Sequence, residues 1–403
     1  MALTQQDYSD LEQGYPYMDI IHRCFRCGYC KFPQDWEDVD NCPAYARHRL
    51  ESYSNGGRLW LIRAWITGEL DWSENLAEIV YSCVACKNCE EKCPLSFAGD
   101  IVNMVVAARN AMVEKGLVPP AVKKYLENVQ LHGNPWGLGA KKRSRWMEGL
   151  PVEPYKDQEF LYFVGSEGAY ESRAQLAARA AADIFRQAGL SFGVLGDDET
   201  DDGNEAELLG EDGLTEMLAE KNISRFRELG VQKIVTFSPH AYNALKNIYP
   251  RFGGSFEVYH YTQLLPELIK AGRITPPRLE NATITYHDPC FLGRWNNEYK
   301  APRKALQAID GAQLVEMSRS GKSAFCCGGG SAGFYTDILG GSENSPARIR
   351  ARQARATGAD ILAVACPNCL TMLEDAVKVE GLDKKLLVKD ISELLSGSGE
   401  ADA

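Results

Sequence analysis

Residues 361–373 read ILAVACPNCLTML, and residues 233–245 read KIVTFSPHAYNAL. Each is a short apolar run, then x-Pro-x-x, then the start of a helix. Both therefore predict a strand that turns at once into a helix. A looser pair lies upstream of each: TYHDPCFLGR at 285–294 and FVGSEGAYESR at 163–173. Between the members of each pair stands a third landmark, Cys326-Cys327-Gly328 in the later copy and Asp201-Asp202-Gly203 in the earlier one. The later copy is spaced Cys290-x35-Cys326-Cys327-x38-Cys366-x2-Cys369, and the earlier Ser166-x34-Asp201-Asp202-x35-Ser238-x2-Ala241. Self-similarity of this kind marks one unit used twice. In the first copy every expected thiol is replaced.

Outward from these stretches, Phe160–Val164, Ile234–Phe237, Ile284–Tyr286 and Ile361–Ala365 are strand-like, whereas Glu171–Gln187 and Pro346–Thr357 are helix-like. The alternation predicts parallel α/β units. Cys290 and Cys366 follow apolar strands, which puts their thiols at the carboxyl ends of a parallel sheet, where open α/β folds bind ligands. Gly328, Gly329 and Gly330 would let backbone approach closely and would offer amide donors. A phosphate loop is the rival reading of those glycines, but it wants a following Lys-Ser/Thr and no adjacent cysteines. Five thiols exceed the four that zinc or a cubane cluster takes, so this site holds an unusual cluster or keeps a sulfur free.

The N-terminal third carries Cys24-x2-Cys27-x2-Cys30-x11-Cys42-Pro43 and Cys83-x2-Cys86-x2-Cys89-x3-Cys93-Pro94. Three thiolates around one turn of backbone suit three irons of a cubane, and the fourth ligand, followed by proline, normally comes from the other motif. One [4Fe–4S] cluster is thus expected on Cys24, Cys27, Cys30 and Cys93, and a second on Cys83, Cys86, Cys89 and Cys42. Paired zinc knuckles are the alternative, but they use doublets of cysteine rather than triplets. The 40 residues between Cys42 and Cys83 have helical patterning at Leu59, Ile62, Arg63 and Ile66, and a further helix is expected over about 99–115.

The chain has 403 residues, 13 cysteines and a net charge of −11. Acidity of that size argues against a nucleic-acid partner. Clustered cysteines in a chain whose first residues lack an apolar leader point to metal binding in a reducing compartment rather than to disulfides. The longest apolar run near a helix, Ile101–Ala108, is too short to span a bilayer. The expectation is a cytoplasmic chain with no direct membrane span, any membrane association being made through a partner.

The layout resembles the iron–sulfur subunits with cysteine-rich "CCG" repeats, notably the D-type and B-type subunits of heterodisulfide reductase and the iron–sulfur subunits of glycolate and glycerol-3-phosphate oxidases. The resemblance covers nearly the whole chain. It implies an α + α/β fold: an all-helical two-cluster ferredoxin domain (1–133), a linker (134–155), and two tandem Rossmann-like α/β CCG repeats (156–275, cysteines lost, and 276–395). Residues 396–403 are expected to be a disordered tail. It further implies a noncubane [4Fe–4S] cluster on Cys290, Cys326, Cys327, Cys366 and Cys369. The missing thiols of the first copy put a mechanism with two such clusters in doubt.

The expected function is that of an electron-transfer subunit of an anaerobic redox complex. Electrons would pass between the C-terminal site and a flavoprotein, either an electron-transferring flavoprotein or a heterodisulfide-reductase-type flavin subunit, alongside other redox subunits. One alternative is a catalytic subunit cleaving a disulfide at the C-terminal cluster. Another is a zinc-filled scaffold. His287 and His240 are candidate proton donors near the C-terminal site, though a structural histidine is as good a reading of either. The acidic stretch from Asp197 to Asp202 is expected to be a solvated loop, and Lys141–Arg145 a solvated part of the linker.

Overall fold

The computed structural model describes residues 3–32 and 40–396. The proposed tail, apart from Ser396, lies outside them. The chain forms two compact units. The first is built from Met1–Glu127, Glu205–Leu214 and Phe325–Ile349, and the second from Asn128–Asn204, Thr215–Ala324 and Arg350–Ala403.

The described secondary structure of the first unit is helical. Asn55–Ile66, Glu74–Tyr81 and Ile101–Glu114 are its main helices, packed on one another. Ser54 and Ser73 cap the first two, each hydroxyl accepting a backbone N–H three residues on. Ile62, Trp65, Ile66, Val80, Val105, Ala108 and Met112 are buried on the inward faces. Two arginines occupy those same stripes. Arg58 precedes Ile62 by one turn, Arg109 follows Val105 by one turn, and both are buried.

The second unit contains two parallel four-stranded sheets. The first holds β1 (Phe160–Phe163), β2 (Phe192–Gly193), β3 (Lys233–Thr236) and β4 (Glu257–His260) in the order β2-β1-β3-β4. The second holds β5 (Ala282–Tyr286), β6 (Ala312–Val315), β7 (Ile361–Val364) and β8 (Leu387–Asp390) in the order β6-β5-β7-β8. The two orders are the same, strand for strand. β1 and β7 are continuous apolar runs, as strands covered on both faces require, and β3 is buried from Ile234 to Thr236. Leu161, Phe163 and Ile234 pack against Ala219, Ile223 and Phe226 of helix Asp212–Glu228 and against Tyr249. Helix Ser172–Gln187 buries six alanines, and the small side chains let it lie close to its neighbours.

Two expectations about charge hold only in part. Asp201 and Asp202 are buried, whereas Asp197 and Asp198 are exposed. The reason is local: Asp201 accepts from the Ser166 hydroxyl at 2.7 Å and from Gly203 N–H at 3.0 Å, and Asp202 accepts from Asn204 N–H at 2.8 Å. In the basic run, Lys141, Lys142 and Arg145 are exposed, but Arg143 is buried with a guanidinium nitrogen 3.4 Å from the buried Glu199 carboxylate.

Candidate metal centres

The two cysteine triplets of the first unit adopt the same backbone. In Cys24–Cys30 the residues on either side of the middle cysteine, Arg26 and Gly28, have φ of 57° and 92°. In Cys83–Cys89 the equivalent residues, Ala85 and Lys87, have φ of 48° and 58°. Three of these four are not glycine, and a left-handed residue of that kind persists only where its surroundings hold it. Successive turns of alternating hand aim N–H groups into one concavity, which favours anionic sulfur. Consistent with this, backbone N–H groups of Arg26, Gly56, Tyr45 and Leu95 lie on the sulfurs of Cys24, Cys30, Cys42 and Cys93.

Cys42, Cys83, Cys86 and Cys89 line a single small cavity, with Arg58, Ser82, Asn88 and Val102 around them. Cys93 and Cys27 act electrostatically on Cys24, and Cys27 acts on Cys93. Cys30 is flanked by Cys42, Cys24 and Cys27. Asn41 ties the two loops, its side-chain amide donating to the carbonyls of Cys30 and Asn88 while Asn88 donates back to the carbonyl of Asn41. No local residue pattern marks this clasp. Trp60 Nε1 donates to the Cys24 carbonyl at 2.6 Å.

Burial pushes the Cys30 thiol up to about 12 and raises those of Cys24, Cys42, Cys89 and Cys93. Such sulfurs become thiolates only with a cation to bind. A cysteine triplet joined by a fourth thiol from the other motif is the donor set of a cubane rather than of a zinc knuckle, and Cys42 shares one cavity with Cys83, Cys86 and Cys89, so the residues present fit a cluster.

The first unit also contains Cys326 and Cys327, both buried. Gly328 N–H donates to the Cys326 sulfur at 3.3 Å, with Gly328 at φ 95°. A β-carbon at Gly333 would stand 2.3 Å from the Gly328 carbonyl, so the loop closes on glycine. Gly329 and Gly330 give their carbonyls to the N–H groups of Phe334 and Gly333.

In the second unit, Cys290 follows β5 and Cys366 follows β7, the two adjacent central strands of their sheet. Cys366 is the N-cap of helix Pro367–Val379 and Cys369 lies in its first turn, where the helix dipole favours a thiolate. All three thiols are buried. Asp288 is held by Arg303 in a two-pronged pair at 2.7 and 2.9 Å and accepts from Gly321 N–H, which fixes the turn leading to Cys290. A ring nitrogen of His287 lies within 4.8 Å of the Cys369 sulfur. Arg350 Nε–H donates to His287 Nδ1 at 3.0 Å, so Nδ1 is the acceptor and Nε2 bears the proton of the neutral ring. The His240 ring lies 4.3 Å from that of Phe291, the residue after Cys290.

In the first sheet Ser166 follows β1 and Ser238 follows β3, the places that Cys290 and Cys366 hold in the second sheet. Ser166 bonds Asp201, and Ser238 Oγ accepts from Ala241 N–H. Polar bonds thus close the ends of those strands.

Comparison with known proteins bears directly on these centres. A family described as "4Fe-4S dicluster domain" matches residues 20–97, which contain all eight N-terminal cysteines. A family described as "Cysteine-rich domain" matches residues 284–374, which contain the other five. The D subunit of dihydromethanophenazine:CoB–CoM heterodisulfide reductase of Methanosarcina barkeri is 30% identical over 403 residues, covering 93% of each chain. The chain belongs to that family of CCG-domain iron–sulfur oxidoreductase subunits.

Other relatives of this heterodisulfide reductase D-like chain are longer. The "probable iron-sulfur-binding oxidoreductase FadF" of Bacillus subtilis is 39% identical over 80% of this chain and 46% of its own length. The "EtfAB:quinone oxidoreductase" of Syntrophomonas wolfei is 30% identical over 95% of this chain and 58% of its own. The chain thus spans about half the length of these curated relatives. A hypothetical protein from Helicobacter pylori has a similar fold, with a TM-score of 0.52 over the whole of this chain and 74% of its own at 11% identity. Among the described residues no helix is long and apolar enough to cross a membrane.

Proposed function

We propose that this chain is the electron-transfer subunit of an anaerobic redox complex. Its parts are a helical ferredoxin domain (1–133), a linker (134–155), and two Rossmann-like CCG repeats (156–275 and 276–395). Cys24, Cys27, Cys30 and Cys93 hold one cubane cluster, and Cys42, Cys83, Cys86 and Cys89 hold the other. Cys290, Cys326, Cys327, Cys366 and Cys369 hold a noncubane cluster, with Gly328, Gly329 and Gly330 shaping its loop. The observation that carries this reading is the single cavity lined by Cys42, Cys83, Cys86 and Cys89, ligands drawn from two motifs. The identical strand orders of the two sheets support the repeat.

When bound, such clusters take up and release single electrons. The chain's own residues keep water away, supply N–H donors to sulfur, and fix each loop. The name of the Syntrophomonas relative pairs an electron-transferring flavoprotein with a quinone. By that analogy we assign a flavoprotein as the cytoplasmic partner here, within a set of other redox subunits. Mixing the anaerobic, cluster-loaded chain with reduced electron-transferring flavoprotein should bleach cluster absorbance within a turnover time, and the oxidised flavoprotein should restore it. No exchange in either direction would sink this assignment.

A second reading, cleavage of a disulfide at the C-terminal site, is favoured by one observation. His287 stands beside Cys369 with its proton on Nε2, able to hand a proton to a departing thiolate. His240 is kept as a lesser candidate for the same role. A thiol-dependent change in the paramagnetic signal of the C-terminal cluster would support cleavage over relay.

A further inference from the structure

Arg58 and Arg109 are the least expected residues in the first unit. Arg58 is 1% exposed and Arg109 is fully buried. Arg58 donates to the carbonyls of Ile79 and Tyr53 and to the Ser82 hydroxyl. Arg109 donates to the carbonyls of Leu208, Val80 and Cys83 and to the Ser331 hydroxyl, and its guanidinium lies 5.0 Å from the Tyr81 ring. Among the described residues neither cation bonds a carboxylate, although the buried Glu205 also acts on Arg109 to favour its charged form. A buried cation with no directly bonded carboxylate is costly, and a further anion close by relieves that cost.

The anion these side chains surround is the thiolate-bound group. Arg58 lines the cavity with Cys42, Cys83, Cys86 and Cys89. Arg109 holds the backbone of Cys83 itself. Among the described residues no buried arginine is found acting on the other site: Arg26, the cation acting on Cys24, is exposed and its charge is screened by water.

We propose that Arg58 and Arg109 are positioning residues that serve as built-in counter-cations of the Cys42–Cys83–Cys86–Cys89 site and make it the higher-potential member of the cubane pair. The proposal rests on the cluster assignment above. One-electron reduction adds a negative charge to that site, and two fixed guanidiniums in a low-dielectric surround favour the more negative state. Burial alone would act the other way, so the pair decides the order. Arg109 also spans from the Cys83 backbone to Ser331, four residues past Cys327, which ties the electron-accepting site to the CCG loop.

The test is an anaerobic redox titration of the whole chain with dithionite and mediators, read by paramagnetic resonance, beside iron counts. Arg58→Gln and Arg109→Gln should each shift one of the two cubane midpoints to more negative potential and leave the other in place. Arg58→Lys and Arg109→Lys should recover most of the shift, and Arg26→Gln should move neither. If a glutamine variant loses about four irons per chain while its lysine partner keeps them, the charge is again what matters. Unmoved midpoints at full iron content, or lysine variants that shift or lose iron as far as glutamine, would overturn the proposal. A wild-type chain that carries no cubane clusters would instead overturn the assignment beneath it.

Discussion

Cys42→Ala should remove about four irons per chain together with the signal of the buried cubane, and leave the other cubane intact. Chain order suggests the opposite, since Cys42 lies closer in sequence to Cys30 than to Cys83. The swapped assignment expected from the motifs is supported by the cavity that Cys42 lines with Cys83, Cys86 and Cys89, and by the action of Cys27 on Cys93. Cys93→Ala should therefore delete the other signal. The two variants should also differ in stability. Losing the buried cluster leaves raised thiols and two guanidiniums without their anion, a loss above about 4 kcal/mol, the size reserved for metal-site and buried-charge defects. The site at Cys93 is more open, and its loss should cost less. Iron analysis, paramagnetic resonance and thermal unfolding of both variants check this, and loss of the same signal from both would refute the swapped ligands.

Asp390→Asn should stabilise the chain at pH 8 and fail to do so near pH 5. Asp390 is fully buried. Its Oδ1 accepts from the Tyr261 hydroxyl and from the N–H and hydroxyl of Ser392, but its Oδ2 has no partner. Burial pushes the carboxyl up to about 7 from an ordinary 3.8, with Glu393 adding to the rise and the Tyr261 and Ser392 bonds opposing it. The folded chain thus keeps a proton that the unfolded chain releases above about 4. Folding stability from this group falls as pH rises from about 4 to 7, by roughly 4 kcal/mol in total. Asparagine removes that cost but puts an N–H2 where no acceptor waits, which returns about 1–3 kcal/mol. The expected net gain is about 1–3 kcal/mol at pH 8 and nothing or a loss near pH 5. Anaerobic urea unfolding at both pH values measures it, and equal effects at both would contradict a protonated Asp390.

Much of this arrangement could be read in the residues. The strand-turn-helix pattern at 233–245 and 361–373 appears as β3 and β7 with their helices, because apolar runs that end in a proline turn leave little choice. The edge strands were harder. Phe192–Gly193, Glu257–His260, Ala312–Val315 and Leu387–Asp390 are short or half polar, and their pairing comes from the central strands rather than from their own pattern. Segments 205–214 and 325–349 belong to the same compact unit as the N-terminal helices, a matter of long-range packing that no local pattern records.

Charge was the least legible property. Asp201, Asp202 and Arg143 lie in runs that look solvated, yet each has a specific partner. The buried arginines did leave a trace: Arg58 and Arg109 interrupt apolar stripes at the four-residue step, where a solvent-facing side chain does not belong. The Asn41–Asn88 clasp left none, because its bonds run to backbone across 47 residues.

Three cluster sites in one chain are tested most directly by a metal count on anaerobically purified protein. Iron, acid-labile sulfide and zinc should come to about twelve irons per chain with matching sulfide and no zinc. About eight irons with one zinc would leave the two cubanes but contradict a redox site at Cys290, Cys326, Cys327, Cys366 and Cys369.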